Sequence, residues 1–206
     1  FLNIGESAIY SENIDPSTNG GVDVRHNRYS GNKIQGVRIK DISACGLEIL
    51  THDTIIEGNT IIDAGTHGIA MGCANRIIAR GNIIGNANGD YEELSAGIIA
   101  TVHGGVYNPA LDQGDQITIE GNQIYDQRGL MKSGVQWHSL DTANYVFRRV
   151  VDTGNSFMGL QANKERVITP NAIIDDPTLS YGNVIGPDSA WKKSFNTYSN
   201  PVPTNS

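Results

Sequence analysis

The chain has 206 residues and a formal net charge of −7. Such an acidic chain repels phosphate backbones, which argues against nucleic acid as a partner. Ile and Val number 37 against nine Leu, with 24 Gly and 20 Asn, which argues against a helical bundle and for strands joined by turns of positive φ.

In chain order, short β-branched runs recur and each closes on an Asn. Asn3 reads as the remnant of one, and Val22-Asp23-Val24-Arg25-His26-Asn27 as a weak copy. Ile55-Ile56-Glu57-Gly58-Asn59, Ile78-Ala79-Arg80-Gly81-Asn82, Ile117-Thr118-Ile119-Glu120-Gly121-Asn122 and Val150-Val151-Asp152-Thr153-Gly154-Asn155 follow. The Asn-to-Asn spacings are 24, 32, 23, 40 and 33. The shortest reads as one bare coil of a solenoid, and the longer ones as coils that carry loops. A second set of strands opens on Gly: Gly46-Leu47-Glu48-Ile49, Gly68-Ile69-Ala70-Met71, Gly97-Ile98-Ile99-Ala100, Gly134-Val135-Gln136-Trp137 and Gly159-Leu160-Gln161-Ala162.

Within these strands the pattern has period two, so one set of side chains faces in and the other out. Alignment on the Asn predicts three inward columns. The first is Val22, Thr54, Ile77, Ile117 and Val150; the second is Val24, Ile56, Ala79 and Ile119, broken by Asp152; the third, past the turn, is Tyr29, Ile61, Ile84, Ile124 and Phe157. Stacked apolar columns on one axis are what a parallel β-helix buries. Two positions before the Asn, an outward column reads Arg25, Glu57, Arg80, Glu120, Thr153. Neighbours in such a column lie about 4.8 Å apart, where alternating charges attract. The column therefore predicts that Arg80 contacts both Glu57 and Glu120.

The Ile-x-x-Gly-Asn-x-Ile and Gly-Ile elements, from about Val22 to Ile168, resemble the right-handed parallel β-helix repeats of the pectate-lyase-like superfamily. In character they are closest to bacteriophage tailspike depolymerases. The expected fold is all-β, a right-handed parallel β-helix of about five to six coils over residues 1–174, forming part of a longer β-helix. Residues 175–206 have no repeat and are expected as a cap, a linker or a docked tail, with Trp191 and Phe195 as its anchors. The resemblance implies cleavage of an extracellular or capsular polysaccharide by hydrolysis or β-elimination, a place outside the cell or on a virion, and a homotrimer. No insertion into a membrane is expected, because no apolar run reaches roughly 18 residues. A non-catalytic shaft or adhesion segment is the alternative.

Several residue sets compete for the chemistry. Glu57 and Glu120 would stand about 9.6 Å apart, a separation used by inverting glycosidases, but Arg80 between them would hold both ionised. Asp63, Asn86 and Asp126 align past the turn and read as turn caps, with calcium the one metal they leave open. Cys45 and Cys73 fall inward and suit neither a disulfide framework nor a zinc site.

The strongest set lies on the Gly-led sheet, where insertions flank the strand that opens at Gly97. Its outward positions are Glu48, Ala70, Ile99, Gln136 and Gln161, then Leu50, Gly72, Thr101, His138 and Asn163, with His52 and His103 at the strand extensions. Small Ala70 and Gly72 leave room for a ligand. His138, His103 and Asp141 supply groups for acid–base catalysis. Glu48, Gln136 and Thr101, with Tyr91, Glu93 and Tyr107 from the insertions, are the expected substrate contacts. Trp137 falls inward. Finally, Ile55, Ile78, Thr118 and Val151, with Ile62, Tyr125 and Met158, predict one contiguous apolar outer stripe that the tail or another subunit covers.

Overall fold

The structure, a computed structural model, describes residues 7–12, 26–37, 44–72, 75–87, 95–102, 114–139, 145–160, 166–169, 172–175 and 197–198. Among them there is no helix; every paired strand runs parallel to its neighbour. Three sheets stack around one axis to form a right-handed parallel β-helix. The first holds Ile9–Glu12, Leu47–Leu50, His67–Gly72, Ala96–Val102, Ser133–Ser139 and Arg166–Ile168. The second holds Arg28–Ser30, Thr54–Glu57, Ile77–Arg80, Ile117–Glu120 and Val151–Thr153. The third holds Lys33–Gln35, Thr60–Ile62, Ile83–Gly85, Gln123–Tyr125, Ser156–Met158 and Thr197–Tyr198. The last of these lies within the expected tail and pairs with Ser156 and Phe157. Tyr145–Arg148 and Ala172–Asp175 add a separate two-stranded sheet that the sequence pattern did not announce.

The inward columns form as the alternation predicts from the second coil onward. Thr54, Ile77 and Ile117 stand in register, as do Ile56, Ala79 and Ile119, and Ile61, Ile84, Ile124 and Phe157. All of these are buried. Trp137 is fully buried too, its ring meeting Phe147 edge-on at 5.1 Å and 77°. Cys45 is buried, as its inward position predicts.

The first coil departs from the expected alignment. Its turn is made by Gly31 and Asn32 rather than by His26 and Asn27, so Ser30, not Arg25, stands opposite Glu57. Tyr29 consequently joins the second inward column, and Ile34 takes the third. Val22, Val24 and Arg25 lie outside the described residues. The physical reason is the turn itself. Gly31, Gly58, Gly81, Gly121 and Gly154 all adopt φ between 59° and 66°, a conformation that a side chain resists and Gly does not. The Gly-Asn pair, not a lone Asn, marks the corner. In the sixth coil the first-sheet strand is Arg166–Ile168 rather than Gly159–Ala162.

The Asn that follows each turn Gly joins a continuous ladder through the interior. Asn59 Oδ1 accepts from the backbone N and the Nδ2 of Asn32; Asn82, Asn122 and Asn155 repeat this in turn, at 2.9–3.0 Å. The Nδ2 of Asn59, Asn82, Asn122 and Asn155 also donates to a carbonyl of the second sheet, as Asn82 does to Ile56 O. At the last rung Asn155 Nδ2 donates to Asp152 Oδ1 at 2.9 Å. Asp152 therefore breaks the apolar column to terminate the ladder, and this satisfies a buried donor that would otherwise be costly.

Candidate functional site

The Gly-led strands form the first sheet, and their outward side chains stand in register across it. One row runs Tyr10, Glu48, Ala70, Ile99, Gln136, Val167. The next row, two residues on, brings Gly72, Thr101 and His138 together. Thr169 follows Ile168, the partner of Trp137, and completes this row.

Direction and exposure differ on this sheet. Glu48, Ala70, Thr101 and His138 are half-buried, whereas Ile99 and Gln136 are only 2% and 4% exposed. Gln136 was expected on an open floor; instead its Oε1 accepts from Ser133 Oγ at 3.2 Å. The room expected above Gly72 is filled, since a Cβ there would lie 2.3 Å from Leu50 Cδ2. Alternation fixes the direction in which a side chain leaves a strand; it does not fix what lies above it. Glu48 accepts a 2.6 Å hydrogen bond from Ser7 Oγ. His103, Asp141, Tyr91, Glu93, Tyr107, Gln161 and Asn163 lie outside the described residues.

His138 sits near the outer end of its strand. Its Nδ1 lies 3.2 Å from Thr169 Oγ1, which also accepts from the backbone N of Ser139 at 3.3 Å. Burial pushes the imidazole pKa below its ordinary value, which favours the neutral ring.

Two other histidines, His52 and His67, are structural. His52, expected on the groove floor, is buried in a turn where its Nδ1 accepts from Asn75 N at 3.0 Å. His67 repeats the arrangement with Ala96 N at 3.2 Å, and burial pushes its pKa down to about 3. The linkage has a definite sign. Between pH 6.5 and 3 the unfolded chain takes up a proton that the folded chain refuses, so stability falls on acidification. The expected loss from this group is on the order of 3 kcal/mol between pH 7 and pH 4. His67→Asn places an amide oxygen near the Nδ1 position and should flatten this part of the pH dependence, as read by urea denaturation.

A second surface follows the turn glycines. A shallow groove of about 850 Å3 is lined by Ser30, Glu57, Arg80, Glu120, Thr153 and the neighbouring glycines. Arg80 Nε donates to Glu57 Oε2 at 2.8 Å, and Arg28 pairs with the other oxygen. The two guanidiniums, Arg80 first, hold the Glu57 carboxyl below its usual range. The expected second contact does not form: among the described residues the only ion pair of Arg80 is with Glu57. One guanidinium faces two carboxylates, and Arg28, which the misaligned first coil had hidden, draws the cluster toward Glu57. A carboxyl held ionised cannot serve as a general acid, so this groove does not offer the acid–base pair of an inverting glycosidase.

A denser charge row that the sequence reading missed lines the preceding turn. Asp53 pairs with Arg76, and Asp115 with Arg149. His26, Asp53, Arg76, Gln116 and Arg149 all hold φ between 48° and 60°. No Gly marks these corners, so composition carried no signal for them. Past the third sheet, Asp63 and Asn86 also hold positive φ, and Arg128 reaches both Asp63 Oδ1 at 3.5 Å and Asn86 O at 2.7 Å. Asp126 is buried and accepts from the backbone N of Arg128 and of Met131. This row caps turns, as its residue types predict.

A family model described as a right-handed β-helix region matches residues 20–175. The chain belongs to the right-handed β-helix family. No curated protein and no solved structure matches the chain. Membership accounts for the coil geometry; a site on this β-helix has to be argued from its own side chains.

Proposed function

We propose that this β-helix binds and cleaves an extracellular or capsular polysaccharide laid across the first sheet at its fourth to sixth coils. The observation that carries the reading is the row Thr101, His138, Thr169, the first two on neighbouring strands and the third just past the end of the next. These polar side chains repeat about every 4.8 Å along a rigid axis, a format suited to an extended chain of hydroxyl-bearing units. Residues 88–94 and 103–113 connect at the two ends of the central strand Ala96–Val102, where long connections carry function more often than scaffold. His103 and Asp141 are the proposed titratable partners, with Glu48, Tyr91, Glu93 and Tyr107 as further contacts. The place of action is outside the cell or on a virion surface.

The test is reducing-sugar release together with the ultraviolet absorbance of unsaturated uronates on a panel of capsular polysaccharides. Reducing ends alone would support hydrolysis, and both signals together would support β-elimination; neither signal on any member would remove the enzymatic reading. A second reading, a non-catalytic shaft, is favoured by the burial of Ile99 and Gln136 on the sheet expected to be open.

The outer apolar residues bear on assembly. They form two strips rather than one, because Ile55, Ile78, Thr118 and Val151 align on the second sheet and Ile62, Tyr125 and Met158 on the third. The Glu57 column and the turn glycines run between them. We assign the second-sheet strip to a parallel homotrimer. Light scattering should give the mass of three 22.2 kDa chains, whereas a stable single chain would contradict the trimer.

A further inference from the structure

His138 has two ring nitrogens, and the structure treats them differently. Nδ1 faces Thr169 Oγ1, while the hydrogen bond to Thr169 is the one protein hydrogen bond of the ring among the described residues. Thr169 is itself pinned. Its backbone N donates to Trp137 O at 3.0 Å, its carbonyl accepts from Ala172 N at 2.9 Å, and its hydroxyl accepts from Ser139 N at 3.3 Å. A hydroxyl carries one proton and two lone pairs. Ser139 N–H occupies one lone pair, and the only protein acceptor within reach of the proton among the described residues is Nδ1 of His138.

We propose that Thr169 is a positioning residue that donates to Nδ1 of His138 and fixes the neutral ring as the Nε2–H tautomer. This rests on the reading of the first sheet as the glycan site. The consequence revises the role that a histidine here would ordinarily receive. With Nδ1 engaged and Nε2 protonated, His138 presents a hydrogen-bond donor outward instead of a base. It recognises an oxygen acceptor on the bound sugar, a hydroxyl or a carboxylate, and proton abstraction falls to another group. The half-buried setting supports this, since it disfavours the doubly protonated ring.

The experiment is long-range 1H–15N NMR of the His138 side chain in the free 206-residue chain at pH 7, with Thr169→Val and Thr169→Ser alongside. The expected spectrum shows Nδ1 unprotonated and Nε2 protonated in the wild type and in Thr169→Ser, and a mixture of tautomers in Thr169→Val. A wild-type spectrum with the proton on Nδ1 would overturn the proposal, and this holds even should Thr169→Val fail to fold. An unchanged tautomer in a folded Thr169→Val would likewise overturn it. The spectrum needs no substrate, so its failure is separate from failure of the polysaccharide reading, which turnover decides.

Discussion

Asn82→Ala is expected to lower the unfolding free energy by about 4 kcal/mol. Asn82 is fully buried at the centre of the ladder. Its Oδ1 accepts from Asn59 N and Nδ2, and its Nδ2 donates to Ile56 O and to Asn122 Oδ1. Truncation removes the partner of the Asn59 backbone N–H and the Asn82 bond to the Ile56 carbonyl in the dry interior, and leaves Asn59 Nδ2 with its bond to Tyr29 O. Each buried polar group left without a partner costs about 1–3 kcal/mol, against a typical total of about 5–15 kcal/mol for a domain. Asn32→Ala, at the half-buried end of the same ladder, removes one donor and leaves the backbone bond to Asn59 in place. It should cost about 1 kcal/mol. Urea denaturation of the two variants measures the difference directly; equal losses would contradict the ladder as a source of stability.

Gly68→Ala should cost about 3 kcal/mol for a different reason. A Cβ at Gly68 would stand 2.4 Å from Ile84 Cγ2 and 2.7 Å from Gly97 O. Gly46 and Gly97 face the same pair of obstacles one coil away on either side, against Ile61 and Ile124. The starts of these three first-sheet strands therefore pack backbone-close on the third inward column. The obstacle includes a carbonyl that cannot rotate away, so the cost sits at the upper end of the about 1–3 kcal/mol typical of overpacking. Gly58→Ala is the control. No heavy atom lies within 4 Å of a Cβ there, but φ is +60°, so the left-handed backbone alone should cost about 1 kcal/mol. Thermal unfolding of the two variants separates crowding from backbone strain.

These two glycine sets explain what was legible in the sequence. The turn glycines and the strand-opening glycines recur because two kinds of close geometry recur, and both punctuate the chain. Four of the five ladder asparagines followed from the Gly-Asn pairs, with Asp152 visible as a break in the column. The first coil was misread because its true second-sheet strand, Arg28-Tyr29-Ser30, has one amphipathic inward residue, whereas Val22-Asp23-Val24 imitates the alternation. Gly31-Asn32-Lys33-Ile34 held the better signal, since it repeats the Gly-Asn-x-Ile order of Gly58 to Ile61 and Gly121 to Ile124.

The site was less legible than the scaffold. Parity placed Thr101 and His138 in outward positions, and the structure agrees, adding that they are adjacent and half-buried. It also offered His52, Ile99, Gln136 and the space above Gly72, all of which are buried or filled. Period two reports a side chain's direction, while its cover comes from segments with no period. Thr169 was missed because it lies beyond the last apolar triplet, in a turn whose partners are distant in sequence. The Asp53–Arg76 and Asp115–Arg149 pairs were missed because their corners carry ordinary residues in a left-handed backbone.

We assign the polysaccharide to the first sheet and not to the turn groove. Comparing the turnover of His138→Ala with that of Glu57→Gln, on whichever capsular polysaccharide the wild type cleaves, tests it most directly. Loss of a hydrogen bond to the substrate costs about 1.5–3 kcal/mol when one partner is charged, which corresponds to about 10- to 100-fold in kcat/KM. His138→Ala should show that loss with thermal stability nearly unchanged, because the half-exposed ring fills little core volume, while Glu57→Gln should retain full activity. Full activity in His138→Ala together with loss in Glu57→Gln would place the chemistry in the turn groove and contradict the account.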